Sequence, residues 1–174
     1  AAGALTWPTI EWITRGKPTV LGTCSGAIAG LACITPASGY VSPLSAILIG
    51  VLASVCCYYA CTALKAKFGY DDSLDVFGIH GIGGTLGMLM TGLLATRAVY
   101  DVNENGSPVG LIEGGGFGLL KSQLLAVVVT YVFTIVVTLI LLRILDATMG
   151  LRITQEEEIE GIDFFTYKKA TLLR

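Results

Sequence analysis

The stretch Asp71–Met90, DDSLDVFGIHGIGGTLGMLM, opens on three acids within its first five residues and then runs apolar with one interruption, His80, the chain's only histidine. From Val76 to Thr96 no other Asp, Glu, Lys, Arg or His occurs. A bilayer core of about 30 Å is crossed by about 20 apolar residues rising 1.5 Å each. The run therefore has the length of a membrane span, and it places one titratable ring where lipid would tolerate none without a reason.

The same segregation of charge extends outward from this run. Pro18 to Leu64 contains no Asp, Glu, Lys, Arg or His, and neither does Ser122 to Leu142. The 174 residues are 53% hydrophobic and 14% charged with a mean hydropathy of +0.74, against about 25% charge in an ordinary soluble domain. These features predict an all-α, polytopic transmembrane helix bundle embedded in a lipid bilayer. The net charge of -2, without a basic run, gives no electrostatic footprint for nucleic acid, and none is expected as a partner.

Four complete spans follow, at about 19–35, 44–64, 73–96 and 121–145. The first stops at TPASGYVSP, where Pro36, Gly39 and Pro43 end helices and shape a tight connection. Lys65 and Lys67 close the second. The third takes its start from Ser73, with Asp71 and Asp72 adding capping groups and negative charge at a helix N-terminus. Residues 97–120 carry Asn-Gly, Ser-Pro and three successive glycines, the chemistry of a loop outside the membrane. Residues 1–148 thus form a transmembrane region and 149–174 a charged tail. The opening AAGALTWPTIEW lacks the basic start and long apolar centre of a signal peptide, so residues 1–13 read as the end of a further span whose beginning is absent.

Lys and Arg near the span ends set the orientation. Arg15, Lys17, Lys65, Lys67, Arg143, Arg152, Lys168, Lys169 and Arg174 fall on one side, and only Arg97 and Lys121 on the other. The tail is accordingly expected in the cytoplasm, the 97–120 loop outside, and the acids Asp71 to Asp75 at the inner end of the third span.

Small residues recur at helical spacing. Gly22, Gly26 and Gly30 lie four apart in GTCSGAIAG, and Gly83 and Gly87 repeat that step. Such stripes let helix backbones approach closely, which membrane helices use in place of a hydrophobic driving force. The five cysteines, Cys24, Cys33, Cys56, Cys57 and Cys61, all lie in apolar runs and are expected to be reduced and structural. Their spacing suggests no metal set, and no cofactor is expected. No nucleophile, base and orienting acid cluster together either, so the chain is not expected to be an enzyme.

A helix running from Asp72 would put His80 roughly 12 Å into the membrane, near the midplane. Imidazole is the basic side chain that stays uncharged near neutral pH, and ionisable groups at such depth face the protein interior or a pathway. Three readings remain open: a neutral ring making one interhelical hydrogen bond, a haem or metal ligand whose partner is absent, and a conduction path in which the ring offers a donor and an acceptor. In the last, Gly78 and Gly81 would keep space open beside it. Asp75, just inside the entrance, either attracts a cation or fixes a neighbouring helix.

RGKPTVLGTCSGAIAGLACITPASGYV (15–41), DDSLDVFGIHGIGGTLGMLMTGLLAT (71–96) and GLRITQEEEIEGID (150–163) together resemble the ammonium transporter family, Amt/Mep, with the Rh proteins as distant relatives. The resemblance runs through most of the chain from Arg15 to Asp163. It implies the second, incomplete half of an inverted repeat in an eleven-helix transporter, together with its last helix and tail. It further implies a homotrimer in the plasma membrane with one narrow hydrophobic pore per subunit. Ammonium would be recruited and deprotonated outside, and ammonia and a proton would pass a pair of pore histidines.

On the resemblance, His80 matches the second of those histidines, Ile28 and Val76 match pore-lining apolar positions, and Thr35 matches a position near the outer part of the pore. Ser25 and Asp75 match the inner vestibule, and Asp72 a structural aspartate. An ammonium sensor signalling through the tail and an Rh-like gas channel are the alternative functions. Without the other half of the repeat, Gly22, Gly26 and Gly30 would face lipid and the chain would conduct nothing by itself. The tail, residues 150–174, opens like the family's regulatory tail with an acidic run, Glu156, Glu157, Glu158 and Glu160, that serves either as a solvated face or as a docking segment. FFTYKKATLLR replaces the usual ending, which leaves a PII-type regulator and a modification at Thr166 open.

Overall fold

The computed structural model describes residues 1–100, 109–153 and 155–161, and among these every regular element is helical. Helix α1 (Ala2–Arg15) ends at Gly16, whose left-handed φ of 78° lets its N–H return to the Trp12 carbonyl, the usual glycine stop. Thr19 then caps α2 (Val20–Ile34), its Oγ1 accepting from the Gly22 N–H at 2.9 Å. This helix tightens into a 3-10 turn at Thr35–Ala37, where the proline ring removes a backbone donor.

Helix α3 (Pro43–Tyr59) starts with Ser42 accepting from the Ser45 N–H and proline at its first position, where a missing N–H costs nothing. It continues through a π turn, Ala60–Leu64, into the short α4 (Lys65–Phe68) and stops at Gly69, φ 61°. The span expected to close at Leu64 therefore runs on to Phe68. Lysines end an apolar stretch without breaking a helix, whereas a left-handed glycine does break it.

The next helix departs more from expectation. Ser73 and Leu74 form a turn and Asp75 is left-handed at φ 56°, so helix begins only at Val76. Its first turn, Phe77–Gly81, is a second π turn, followed by α5 (Ile82–Leu94). In the polar connection lie α6 (Arg97–Tyr100) and a 3-10 turn at Leu111–Glu113; residues 101–108 of that loop fall outside the described residues. Helix α7 (Gly118–Met149) begins before and ends after the expected 121–145, and α8 (Gln155–Glu160) carries the acidic run. Thr166 and FFTYKKATLLR lie outside the described residues.

Among the described residues, four helical stretches are long and apolar enough to cross a membrane: Val20–Ala37, Pro43–Phe68, Phe77–Leu94 and Gly118–Met149. The chain divides into two units, Ala1–Val128 and Val129–Arg174. In the first, α1, α2 and α3 pack on one another and α5 lies against α2 and α3. Its core is built from small side chains. One cluster joins Trp7, Ala29, Cys57, Tyr58 and Ile79, and a second joins Cys33, Ala37, Val41, Ile49 and Ala53. All five cysteines are free. The second unit holds the remainder of α7 and α8, and no residue of α7 is buried.

Close backbone approach is what the glycines provide. A methyl at Gly26 would overlap the Gly3 carbonyl and Trp7, and one at Gly87 would overlap the Cys33 carbonyl. The glycines expected to face lipid in this chain therefore do not. Gly22 and Gly26 are buried and Gly30 lies beside Gly3, because α1 is long enough to cover the whole stripe.

Candidate functional site

Most of the residues singled out in the sequence lie on or beside two neighbouring elements, α2 and the 77–81 π turn, which pack against each other; Asp72 and Asp75 precede the second, and Gly83 and Gly87 lie on α5. On α2, Gly22, Gly26, Ala29 and Cys33 are buried, while Ile28 is 43% exposed and Ser25 is half-buried; Thr35, just past its end, is exposed. On the other element Gly78 and Ile79 are buried, while Val76 is 51% exposed and His80 is exposed. Between the two exposed sets, Gly83 fits against Cys57 of α3 and the Ala29–Ala32 turn of α2. The result is an open, mainly apolar surface with a single imidazole, on helices whose opposite faces are packed.

His80 makes no hydrogen bond to any described residue, so the interhelical bond that would make it an ordinary packed histidine is not formed among the described residues. No cluster of three or more His, Cys, Asp or Glu capable of holding a metal occurs among the described residues. The expected depth of the ring changes. With helix starting at Val76, the helical rise to His80 is about 6 Å, half of the roughly 12 Å implied by a helix from Asp72.

The glycines flanking the ring have a different role from the one expected. Gly78 is packed against Cys61 in the π turn of the preceding span, and Gly81 lies against the Phe77 ring. Gly78 thus accommodates a neighbouring helix, while the imidazole itself is exposed. Thr35 turns its hydroxyl back to the Leu31 carbonyl at 2.7 Å, which satisfies its polar group within its own helix.

The acids divide the work at the helix start. Both carboxylate oxygens of Asp72 accept backbone N–H groups, from Val76 and from Phe77, each at 2.9 Å, which makes it the cap of a helix beginning later than predicted. Asp75 accepts the Ile79 N–H on its carbonyl at 2.9 Å and an ion pair from Lys65 Nζ on its carboxylate at 2.7 Å. The same ammonium reaches the Asp72 carbonyl at 2.6 Å. Of the two roles open to Asp75, the contacts are those of a residue fixing a neighbouring helix. Its left-handed φ of 56° costs a residue with a Cβ roughly 1–2 kcal/mol.

Two residues that sequence reasoning did not single out for a structural role stand out. Lys65 was legible only as a span-closing charge. Glu11, inside α1, is 4% exposed and takes the Thr19 N–H on Oε2 at 2.7 Å and the Thr19 hydroxyl at 2.9 Å. Its carboxylate lies at the N-terminus of α2, where the helix dipole favours negative charge, and Gly22 has no Cβ to displace it. An acid in an otherwise apolar run, followed eight residues later by Thr19 at the next helix start, was the available signal.

Tyr70, in the same turn as Asp72, packs edge-on to Phe77 with ring centroids 5.8 Å apart, and its hydroxyl is buried with no partner among the described residues. Burial, with the Asp72 carboxylate nearby, pushes its phenol above the ordinary value.

Residues 1–172 match the Ammonium Transporter Family. The chain is 46% identical over 163 residues to the ammonium transporter of Bacillus subtilis, covering 94% of this chain and 39% of that protein. It is 44% identical to the ammonium transporter Amt1 of Archaeoglobus fulgidus, covering 97% of this chain and 41% of that one. Among solved structures it superposes on Mep2 of Candida albicans with a TM-score of 0.80 and 32% identity, covering 90% of this chain and 35% of that one. Mep2 of Saccharomyces cerevisiae gives 0.78 and 35% with the same coverage. The chain spans about two-fifths of the length of the curated relatives it matches.

Proposed function

Because this chain belongs to the ammonium transporter family, we propose that it forms one wall of a path for ammonia across the plasma membrane, with His80, Val76 and Ile28 lining it. The observation that carries this reading is the exposed set Ile28, Val76 and His80 on elements whose opposite faces are packed, with Leu21, Leu31 and Phe77 adding to the exposed apolar surface. An apolar surface with one unpartnered imidazole suits a wall completed by further helices.

The energetics favour the neutral species. Bringing an intact ammonium ion into a narrow apolar path incurs a desolvation cost of several kcal/mol even after the surroundings relax, whereas ammonia loses only hydrogen bonds. Ammonium therefore gives up its proton outside, ammonia passes, and the proton moves separately. His80 donates and accepts hydrogen bonds along that route as one of a pair, its partner on the completing helices. Potassium has no proton to surrender and is excluded. We place the tail in the cytoplasm and the molecule in a homotrimer; the nine Lys and Arg on the tail side support the first, and the exposed apolar side chains of α7 provide surface for lipid or for neighbouring subunits.

The experiment is a chimera in which this chain replaces the region it matches in the Bacillus subtilis transporter, expressed in cells lacking other ammonium uptake. The chimera is expected to support growth on low ammonium, and the chain alone is not. His80→Ala in the chimera is expected to abolish uptake or its selectivity over potassium. Uptake by that variant at undiminished rate and selectivity would refute the role given to His80.

A further inference from the structure

We infer that Lys65 is a positioning residue for the candidate path, holding the turn that orients His80 through its joint grip on Asp75 and Asp72. The inference rests on the pore reading above and adds to it a residue on a different helix, outside the exposed wall.

Lys65 follows directly on the π turn Ala60–Leu64. A π turn accommodates one more residue than an α turn and so rotates whatever follows it about the helix axis. Its ammonium makes two contacts on the other side of the connection, 2.7 Å to the Asp75 carboxylate and 2.6 Å to the Asp72 carbonyl. Those two acids set the start of the next helix. Asp72 caps the N–H groups of Val76 and Phe77, and the Asp75 carbonyl accepts from Ile79.

The backbone at Asp75 is left-handed, a conformation uncommon outside glycine, which aspartate adopts more readily than most residues and which its surroundings here hold in place. Lys65 is that hold. Released from it, Asp75 relaxes to right-handed geometry, helix extends back toward Ser73, and the strain that maintains the Phe77–Gly81 π turn is lost. Conversion of that turn to α geometry shifts the register by one residue, about 100° across the whole turn, and turns His80 within it. Cys61 Sγ approaching the Asp75 carbonyl and Gly78 packing on Cys61 show how closely the two π turns fit; neither supplies a charge that would replace the ammonium.

The test uses the chimera with Lys65→Met, Lys65→Arg, Asp75→Gly and the double variant Lys65→Met/Asp75→Gly, reading uptake of radiolabelled methylammonium per amount of inserted protein. Lys65→Met is expected to lower the maximal rate roughly ten- to a hundredfold, as for a reacting group held about 1 Å out of place, with half-saturation unchanged. Lys65→Arg, which keeps the charge, is expected to restore most of the rate. Glycine adopts the left-handed conformation without strain, so Lys65→Met/Asp75→Gly is expected to exceed Lys65→Met. Full rate in Lys65→Met, a loss confined to half-saturation, or a double variant no better than the single overturns the proposal. Should Lys65→Met fail to insert, the double variant decides it: uptake supports the proposal and inactivity of inserted protein overturns it. His80→Ala is run in parallel. Its full activity refutes the pore reading itself, whereas its inactivity beside a fully active Lys65→Met refutes only the role of Lys65.

Discussion

Two connections in the first unit solve the same problem in opposite ways. Between α1 and α2, and again between α4 and the 77–81 π turn, one carboxylate on one side meets a partner eight or ten residues away on the other. At the first connection the acid, Glu11, is buried and its partners are the neutral N–H and hydroxyl of Thr19. The elements on either side are regular α-helix in close backbone contact. At the second the acid, Asp75, is about a third exposed, its partner is a cation, its own backbone is left-handed, and π turns stand on both sides. A buried acid can be held by a helix N-terminus without strain. The strained connection is the one beside His80, consistent with strain being kept where geometry matters to function.

The sharpest way to break the first connection is to fill it. Gly26→Leu drives a side chain into the Gly3 carbonyl and Trp7, and because backbone cannot move aside the cost is expected to exceed the usual overpacking penalty of about 1–3 kcal/mol. The chimera should lose its thermal transition in detergent, while Gly84→Leu, where a Cβ meets nothing within 4 Å, should leave that transition in place. An unfolded or aggregated Gly84→Leu would show that leucine itself is at fault.

Removing the acid should cost less. Glu11→Leu leaves the Thr19 N–H and hydroxyl without their acceptor in a buried site, a loss of about 1–3 kcal/mol. Glu11→Gln keeps one acceptor oxygen and should lose a fraction of that in the same thermal assay. Equal losses would mean that the charge, and not the hydrogen bonds, holds the connection. At the second connection, Asp72→Ala removes a cap worth about 0.5–2 kcal/mol, and amide exchange at Val76 and Phe77, the two groups it holds, should rise ahead of exchange in α5.

The contrast also explains what could be read from the chain in advance. The spans were legible because long charge-free runs have few alternatives, and the close-packing stripes because glycine at every fourth position presents one bare helix face. The helix start at Val76 was not legible. Asp71, Asp72 and Ser73 are all good caps, and nothing local to them shows that Asp75 is left-handed, pairs with Lys65 and leaves the helix to start past them. Neither π turn has a residue pattern that distinguishes it from α-helix, since each depends on contacts across the connection, the approach of Gly78 to Cys61 among them. The cover of α1 over Gly22 and Gly26 was missed because a helix read only as the end of a span gave no sign of which face it would present.

The smallest expected effect lies at Tyr70, which sharpens the comparison by asking whether the second connection tolerates an unsatisfied group as well as a strained one. Its buried hydroxyl has no partner among the described residues, and deleting such a group without changing shape is near neutral or stabilising. Tyr70→Phe should thus melt at or above the unsubstituted chimera at about pH 8, below the ordinary phenol value. The folded value is raised by burial and then by the Asp72 carboxylate, so the unfolded chain releases this proton first as pH climbs. The phenol's contribution is therefore intact below the ordinary value of 10.0 and is lost as pH rises through the raised folded value. Phenylalanine has no proton to lose, and every other titrating group is common to both proteins. The gap in melting temperature between Tyr70→Phe and the unsubstituted chimera should widen as pH passes 10.0, and parallel curves through that range would show that the Tyr70 hydroxyl is solvated.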